Sequence, residues 1–241
     1  MRVLALDTTT RALSAAVVED DRVLAEYESD TTRTHAERLP ADLLAVLAAA
    51  RIDVGGVDVF AVAAGPGSFT GLRIGIATMQ GLAFVQQKRM VAVPVFDALA
   101  HVAADRAAVD AVVATWIDAH RHDVFSAVYR VSTATRYAPD RLITIDEPAV
   151  GDPHSTLARW LSTGVTPDVF IGSGAQLYSE IVADRAPRSI VYTTPPLAAM
   201  IGLVAARRAA AGETVDPAAV QPLYVRRPDA EIARDHISKR R

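Results

Sequence analysis

The chain has 241 residues, enough for one large domain or two small lobes and too few for several catalytic modules. Half of it is hydrophobic and the net charge is −3, a globular composition with no broad basic surface for gripping nucleic acid. With no cysteine, disulfides, thiol catalysis, iron–sulfur clusters and cysteine-based zinc sites are excluded, which fits a cytosolic protein. The opening run reaches Asp7 after four apolar residues, too soon for a secretory signal, and no stretch approaches membrane-span length.

Arg2–Leu6 reads as a buried strand ending at Asp7, and Leu13–Val18 with Val23–Tyr27 as a hairpin across Asp20-Asp21-Arg22. Thr34-His35-Ala36-Glu37 matches the capping box and predicts a helix over roughly Thr34–Ala50. Ala36, Leu39, Leu43, Val46 and Leu47 recur there at helical spacing. Pro40 predicts a kink or a later start. A strand over Val57–Ala64 follows. A glycine loop, Gly65 to Gly71, then leads into a helix over Leu72–Val85, a strand over Val91–Val95 and a short helix over Asp97–Ala104. The second half repeats the order. Ala111–Ile117 ends in Asp118, Val124–Val131 and Leu142–Ile145 are strands, and Ser155–Leu161 is a helix. Val169–Ile171 enters the turn Gly172-Ser173-Gly174, followed by helix Ala175–Ala183, strand Ile190–Tyr192 and helix Leu197–Ala211. A duplicated βββαβαβα unit is the simplest reading, with lobes over 1–107 and 108–228 and a basic tail over 229–241.

The loop Gly65-Pro66-Gly67-Ser68-Phe69-Thr70-Gly71 sits where anion-binding loops sit, but Leu72-Arg73 follows it, not the Lys-Ser/Thr of a phosphate-binding loop. The dinucleotide fingerprint lacks its third glycine and its ribose acid. Ser68 lacks the Gly-x-Ser-x-Gly elbow of a hydrolase. Of six histidines, no pair has the i, i+4 spacing of a helical metal site, and His120 and His122 alone lie close together, so no metal is expected. Asp7 reads either as an acid near magnesium or, in preference, as the residue that caps its turn. Helix Leu72–Val85 carries Leu72, Ile76, Met79 and Ala83 on one face and Ile74, Thr78, Leu82 and Val85 on another. Such a helix is either deep in a core or covered by a partner.

Two facing lobes of this order resemble the actin-like ATPase and sugar-kinase superfamily, which holds nucleotide between its lobes on glycine-bearing hairpin turns. Here Asp7-Thr8-Thr9-Thr10 and Asp118-Ala119-His120-Arg121-His122 lack those glycines, and Gly172-Ser173-Gly174 alone resembles the adenosine turn. Asp7, Thr9, Gly172 and Gly174 are therefore candidates for a weak or vestigial nucleotide site.

Gly65-Pro66-Gly67-Ser68-Phe69-Thr70-Gly71-Leu72-Arg73-Ile74-Gly75, continued by Ile76-Ala77-Thr78-Met79-Gln80-Gly81, resembles the bacterial TsaB (YeaZ) family. Leu4-Ala5-Leu6-Asp7-Thr8-Thr9-Thr10, Thr34-His35-Ala36-Glu37-Arg38-Leu39-Pro40 and Pro222-Leu223-Tyr224-Val225-Arg226 are similar to that family's other segments. The second hairpin turn departs from it, with Ala119-His120 where Ala-Arg is usual. The resemblance implies a subunit that is not itself catalytic. It would pair with TsaD and act with the ATPase TsaE to transfer a threonylcarbamoyl group to the tRNA adenosine beside the anticodon, touching tRNA through the complex. The resemblance also implies a helix bundle with TsaD, for which His35, Glu37, Leu39, Leu43, Leu72, Arg73, Gly75, Ile76, Met79 and Ala83 are the candidate contacts. A homodimer through the same helices is expected in the partner's absence. No cofactor is expected to be held tightly, with at most weak ATP or ADP at the interface with TsaD. The alternative of a different class is an ATP-dependent small-molecule kinase of the same fold.

Overall fold

The computed structural model describes residues 1–29 and 35–226, and for residues 35 and 36 the backbone alone. The expected cap Thr34 and the basic tail 229–241 lie outside the described residues. The first half builds a five-stranded sheet from β1 (Arg2–Asp7), β2 (Ser14–Glu19), β3 (Arg22–Glu28), β4 (Val59–Gly65) and β5 (Arg89–Pro94), in the order β3-β2-β1-β4-β5. β1 runs antiparallel to β2 and parallel to β4. Both central strands are near-continuous apolar runs because both their faces are covered. Leu4 and Leu6 point to a cluster with α1 (His35–Ala49) and α2 (Phe69–Val85), while Val3 and Ala5 point the other way.

The second half repeats the plan with β6 (Val112–Asp118), β7 (Val124–Val131), β8 (Leu142–Gly151), β9 (Val169–Ile171) and β10 (Ile190–Tyr192), in the order β10-β9-β6-β7-β8. Its outer face is covered by α4 (Pro153–Ser162), α5 (Ser173–Leu177) and α6 (Ser179–Arg185), over an aromatic cluster of Trp116, Trp160 and Phe170. The Trp116 and Phe170 rings meet edge to face at 5.0 Å. The duplication reaches single hydrogen bonds. The N–H of Arg2 donates to the Asp58 carboxylate and that of Val112 to the Asp168 carboxylate, each 56 residues on and each at 2.8 Å. Both halves are thus α/β lobes of one strand order, the duplicated unit that the sequence order implies.

Between the sheets lie α3 (Val95–Ala104), buried along its whole length, and α7 (Ala198–Ala210). α7 comes from the second half but packs on β1, β2 and β4 of the first sheet, while α3 packs on β6 as well as on β4 and β5. One apolar cluster therefore runs from Val3 and Ala61 through Phe96, Leu99 and Ile201 to Val113 and Ile171.

Several boundaries differ from the sequence reading. α1 runs through Pro40 from His35, so the later start is not found, and Pro40 sits exposed. α2 begins at Phe69, because Ser68 caps it by accepting from the Gly71 N–H at 3.2 Å. The helix expected over Ala175–Ala183 is two pieces, parted at Tyr178, whose φ of −109° leaves helical geometry. β8 continues past Ile145 to Gly151. As an edge strand it accommodates Pro148, which has no N–H to give a neighbour.

Candidate functional site

β1 ends in Asp7, whose buried carboxylate accepts from the Thr9 N–H at 2.8 Å and from the Thr9 hydroxyl at 2.6 Å. This is the turn-capping role. The rest of the turn is held by the glycine loop. The Thr8 hydroxyl donates to the Gly71 carbonyl at 2.8 Å, and the Ser68 N–H donates to the Thr9 carbonyl at 2.8 Å. The first turns of α2 lie directly on this segment, for a Cβ on Gly71 would stand 2.0 Å from the Thr8 carbonyl oxygen. A Cβ on Gly75 would stand 2.2 Å from the Thr8 hydroxyl. The loop that resembled an anion cradle is thus closed on the chain's own threonines. Gly75, a candidate partner contact, thus packs on the chain's own first turn.

The second lobe holds a related arrangement. The Asp118 carboxylate accepts from the His120 N–H at 2.8 Å, as Asp7 does two residues upstream of Thr9. The Asp118 N–H donates to the Ser173 hydroxyl at 3.1 Å. Gly172 has φ +119° and a Cβ there would lie 2.1 Å from the Trp116 carbonyl oxygen, so this turn packs on β6. Gly174 also packs on this strand, though less tightly, for a Cβ there would stand 3.0 Å from the Ile117 carbonyl carbon and 3.1 Å from the Asp118 nitrogen. His120, Arg121 and His122 lie in the second hairpin turn, as the sequence reading has them. They occupy three successive left-handed backbone positions, with φ of 57°, 55° and 65°. His120 Nδ1 lies 3.4 Å from Asp118. No grouping of three histidine or acidic side chains that could hold a metal ion occurs among the described residues.

The outer helices correct the proposed contact list. Leu39, Leu43, Leu72, Ile76, Met79 and Ala83 are all buried in the chain's own core, together with Gly75. They face Leu4, Leu6, Val62 and one another, since the richest apolar stripe of a helix turns to the sheet. Glu37 and Arg73 are exposed, and the side chain of His35 lies outside the described residues. The outward sides carry other residues. On α1 these are Ala41, Leu44, Ala45 and Ala48, and on α2 Ala77, Gly81, Phe84 and Val85. Leu44, Phe84 and Val85 expose 67%, 77% and 74% of their surface. The signal in the sequence was the apolar residue off the core stripe, Leu44 between Leu43 and Val46, Phe84 beside Ala83.

The segment after α7 straps this region down. Met90 and Val215 exchange backbone hydrogen bonds, Gln80 donates to the Pro217 and Val220 carbonyls at 2.7 and 3.1 Å, and the Leu223 N–H donates to the Ala64 carbonyl at 2.7 Å. Arg73 Nε then donates to the Tyr224 hydroxyl at 3.2 Å. Farther on, Arg226 donates to the Ala119 carbonyl and pairs with the Asp123 carboxylate, tying the strap to the second hairpin turn. No helix among the described residues is long and apolar enough to cross a membrane.

Comparison with known proteins places the chain among relatives. Residues 22–234 match the family model for TsaD, tRNA N6-adenosine threonylcarbamoyltransferase. An uncharacterised Mycobacterium leprae protein is 32% identical over 95% of this chain, which spans only 56% of that relative. The Escherichia coli tRNA threonylcarbamoyladenosine biosynthesis protein TsaB is 28% identical over 94% of this chain and 95% of its own length. The structure of YeaZ from Pseudomonas aeruginosa superposes with a TM-score of 0.74 at 28% identity, covering 92% of this chain and 99% of that one.

Proposed function

This chain belongs to the TsaB (YeaZ) family, and from that membership we propose that it is a non-catalytic subunit in tRNA threonylcarbamoyladenosine biosynthesis. It docks a TsaD-type catalytic subunit with the outward sides of α1 and α2 and supports transfer of the threonylcarbamoyl group to tRNA. TsaE joins the same assembly, and tRNA is reached through it. The observation that carries the docking is the pair of adjacent helices with Leu44, Phe84 and Val85 left exposed. Large apolar side chains grouped on one outer face mark an interaction surface. The non-catalytic role is supported by the first turn, where the Thr9 N–H is already taken by Asp7 and the glycine loop packs on Thr8 and Thr9.

The test is reconstitution. The isolated chain is expected to show no threonylcarbamoyl transfer, and addition of the TsaD-type subunit, the ATPase and tRNA to restore it. A Leu44→Arg variant that folds normally yet fails to support the reaction fits the docking. Full activity of the catalytic subunit without this chain would overturn the proposal.

A further inference from the structure

At the start of α2, Arg73 is held before any partner arrives. Its guanidinium carbon lies 3.9 Å from the centre of the Phe69 ring, and its Nε is engaged by the Tyr224 hydroxyl. The two aromatic rings lean on each other at 5.6 Å, and both remain partly exposed. The strap fixes Tyr224 from behind through Leu223 and Ala64. One face and one edge of the guanidinium are thereby used, and its two terminal nitrogens make no hydrogen bond among the described residues. No ion pair to Arg73 forms among the described residues. Beside it lies a groove of about 400 Å³ whose other walls, among them Ile76, Gln80, Gln221 and Pro222, carry no charge. Arg73 also begins the outward row of α2 that continues through Ala77, Gly81 and Phe84, and it is the sole charge on that row.

We infer that Arg73, clamped between Phe69 and Tyr224, is the specificity anchor of the docking face and grips an aspartate or glutamate carboxylate of the partner subunit. This rests on the docking reading given above. A planar fork with its orientation already fixed loses little freedom on binding and suits a bidentate carboxylate. A lone fixed cation at the end of an apolar helix row selects one acidic side chain in register with that row. An RNA backbone would instead be met by several cations, and the groove walls supply none.

The experiment measures affinity of the full chain for the TsaD-type subunit of the same organism by calorimetry, alongside melting of each variant alone. Arg73→Glu is expected to weaken binding at least about thirty-fold, and Arg73→Lys about ten-fold, because the charge stays but the fork is lost. Melting is expected to be unchanged. An acidic-to-arginine change in the partner should recover binding of Arg73→Glu and of no other variant. Wild-type affinity of Arg73→Glu, while Leu44→Arg abolishes binding, would overturn the anchor and leave the docking face standing. Wild-type affinity of both would overturn both. Partner affinity intact with loss of tRNA binding by the assembled complex would overturn the carboxylate in favour of a phosphate contact.

Discussion

Gly75 and Thr8, 67 positions apart in the chain, touch so closely that a Cβ on the glycine would stand 2.2 Å from the threonine hydroxyl. That contact binds α2 to the end of β1 and makes Gly75 a core position. Gly75→Leu is expected to lower stability by about 1–3 kcal/mol, the usual range for overpacking. For a chain of this size that is roughly 2–12 °C in melting temperature. A Thr8→Ala change should relieve part of the penalty of Gly75→Ala, and a double-mutant cycle on melting reads the coupling. Strictly additive effects would show that the two residues do not press on one another.

Self-association follows from the outward helix faces. In the partner's absence the apolar patch of Leu44, Phe84 and Val85 should close against a second copy by a two-fold axis. Light scattering at high micromolar concentration is expected to give a dimer mass, and Leu44→Arg with Phe84→Asp a monomer of unchanged melting temperature. A monomeric wild-type protein would count against it.

ATP turnover by the isolated chain is expected to be negligible. The Asp7 carboxylate is engaged by Thr9, and Thr8 is tied to Gly71, so the first turn is ordered around itself. Steady-state hydrolysis of order one per second, lost in Asp7→Ala, would favour the small-molecule kinase reading.

His101 sets a pH dependence. Burial pushes its imidazole down to about 4, with the nearby positive charges of Arg208 and Arg141 acting the same way and Asp105 opposing them. In the unfolded chain it titrates at its ordinary value of 6.5. As pH falls below 6.5 the unfolded chain takes up a proton that the folded one refuses, so stability drops until the folded value is reached. Between pH 7.5 and 5 this amounts to about 2 kcal/mol. Urea denaturation at the two values, in the wild type and in His101→Asn, is the check, and the variant should show a flatter dependence. Equal slopes would locate the proton uptake elsewhere.

Fold class and element order were readable because the apolar runs of β1, β4 and β6 are buried on both faces, and because the glycine turns stand at matching places in each half. The site was less readable for a physical reason. Periodicity says which stripe of a helix is most apolar, and that stripe belongs to the sheet, so Leu72, Ile76 and Met79, contacts implied by the family resemblance, face inward. The mark that Leu44 carries, an apolar residue off the core stripe, is legible only once its neighbours Leu43 and Leu47 are known to fill the core. The strap was illegible for another reason. Its hold on Arg73 and Gln80 joins residues 151 and at least 137 positions apart, beyond the reach of any local pattern.

The placement of α7 has a consequence for how the protein is made. The inner face of the first sheet, with Val3, Ala5 and Ala61, is covered by a helix that ends at Ala210. A nascent chain that has completed β5 at Pro94 must wait about 116 more residues for that helix, roughly six to twenty-three seconds at ordinary elongation rates. During that interval an apolar sheet face stands open on the ribosome, where a chaperone that shields such surfaces would find it. Synthesis in a reconstituted translation system should therefore yield more soluble protein when such a chaperone is present, and a chain stopped before α7 should remain bound to it.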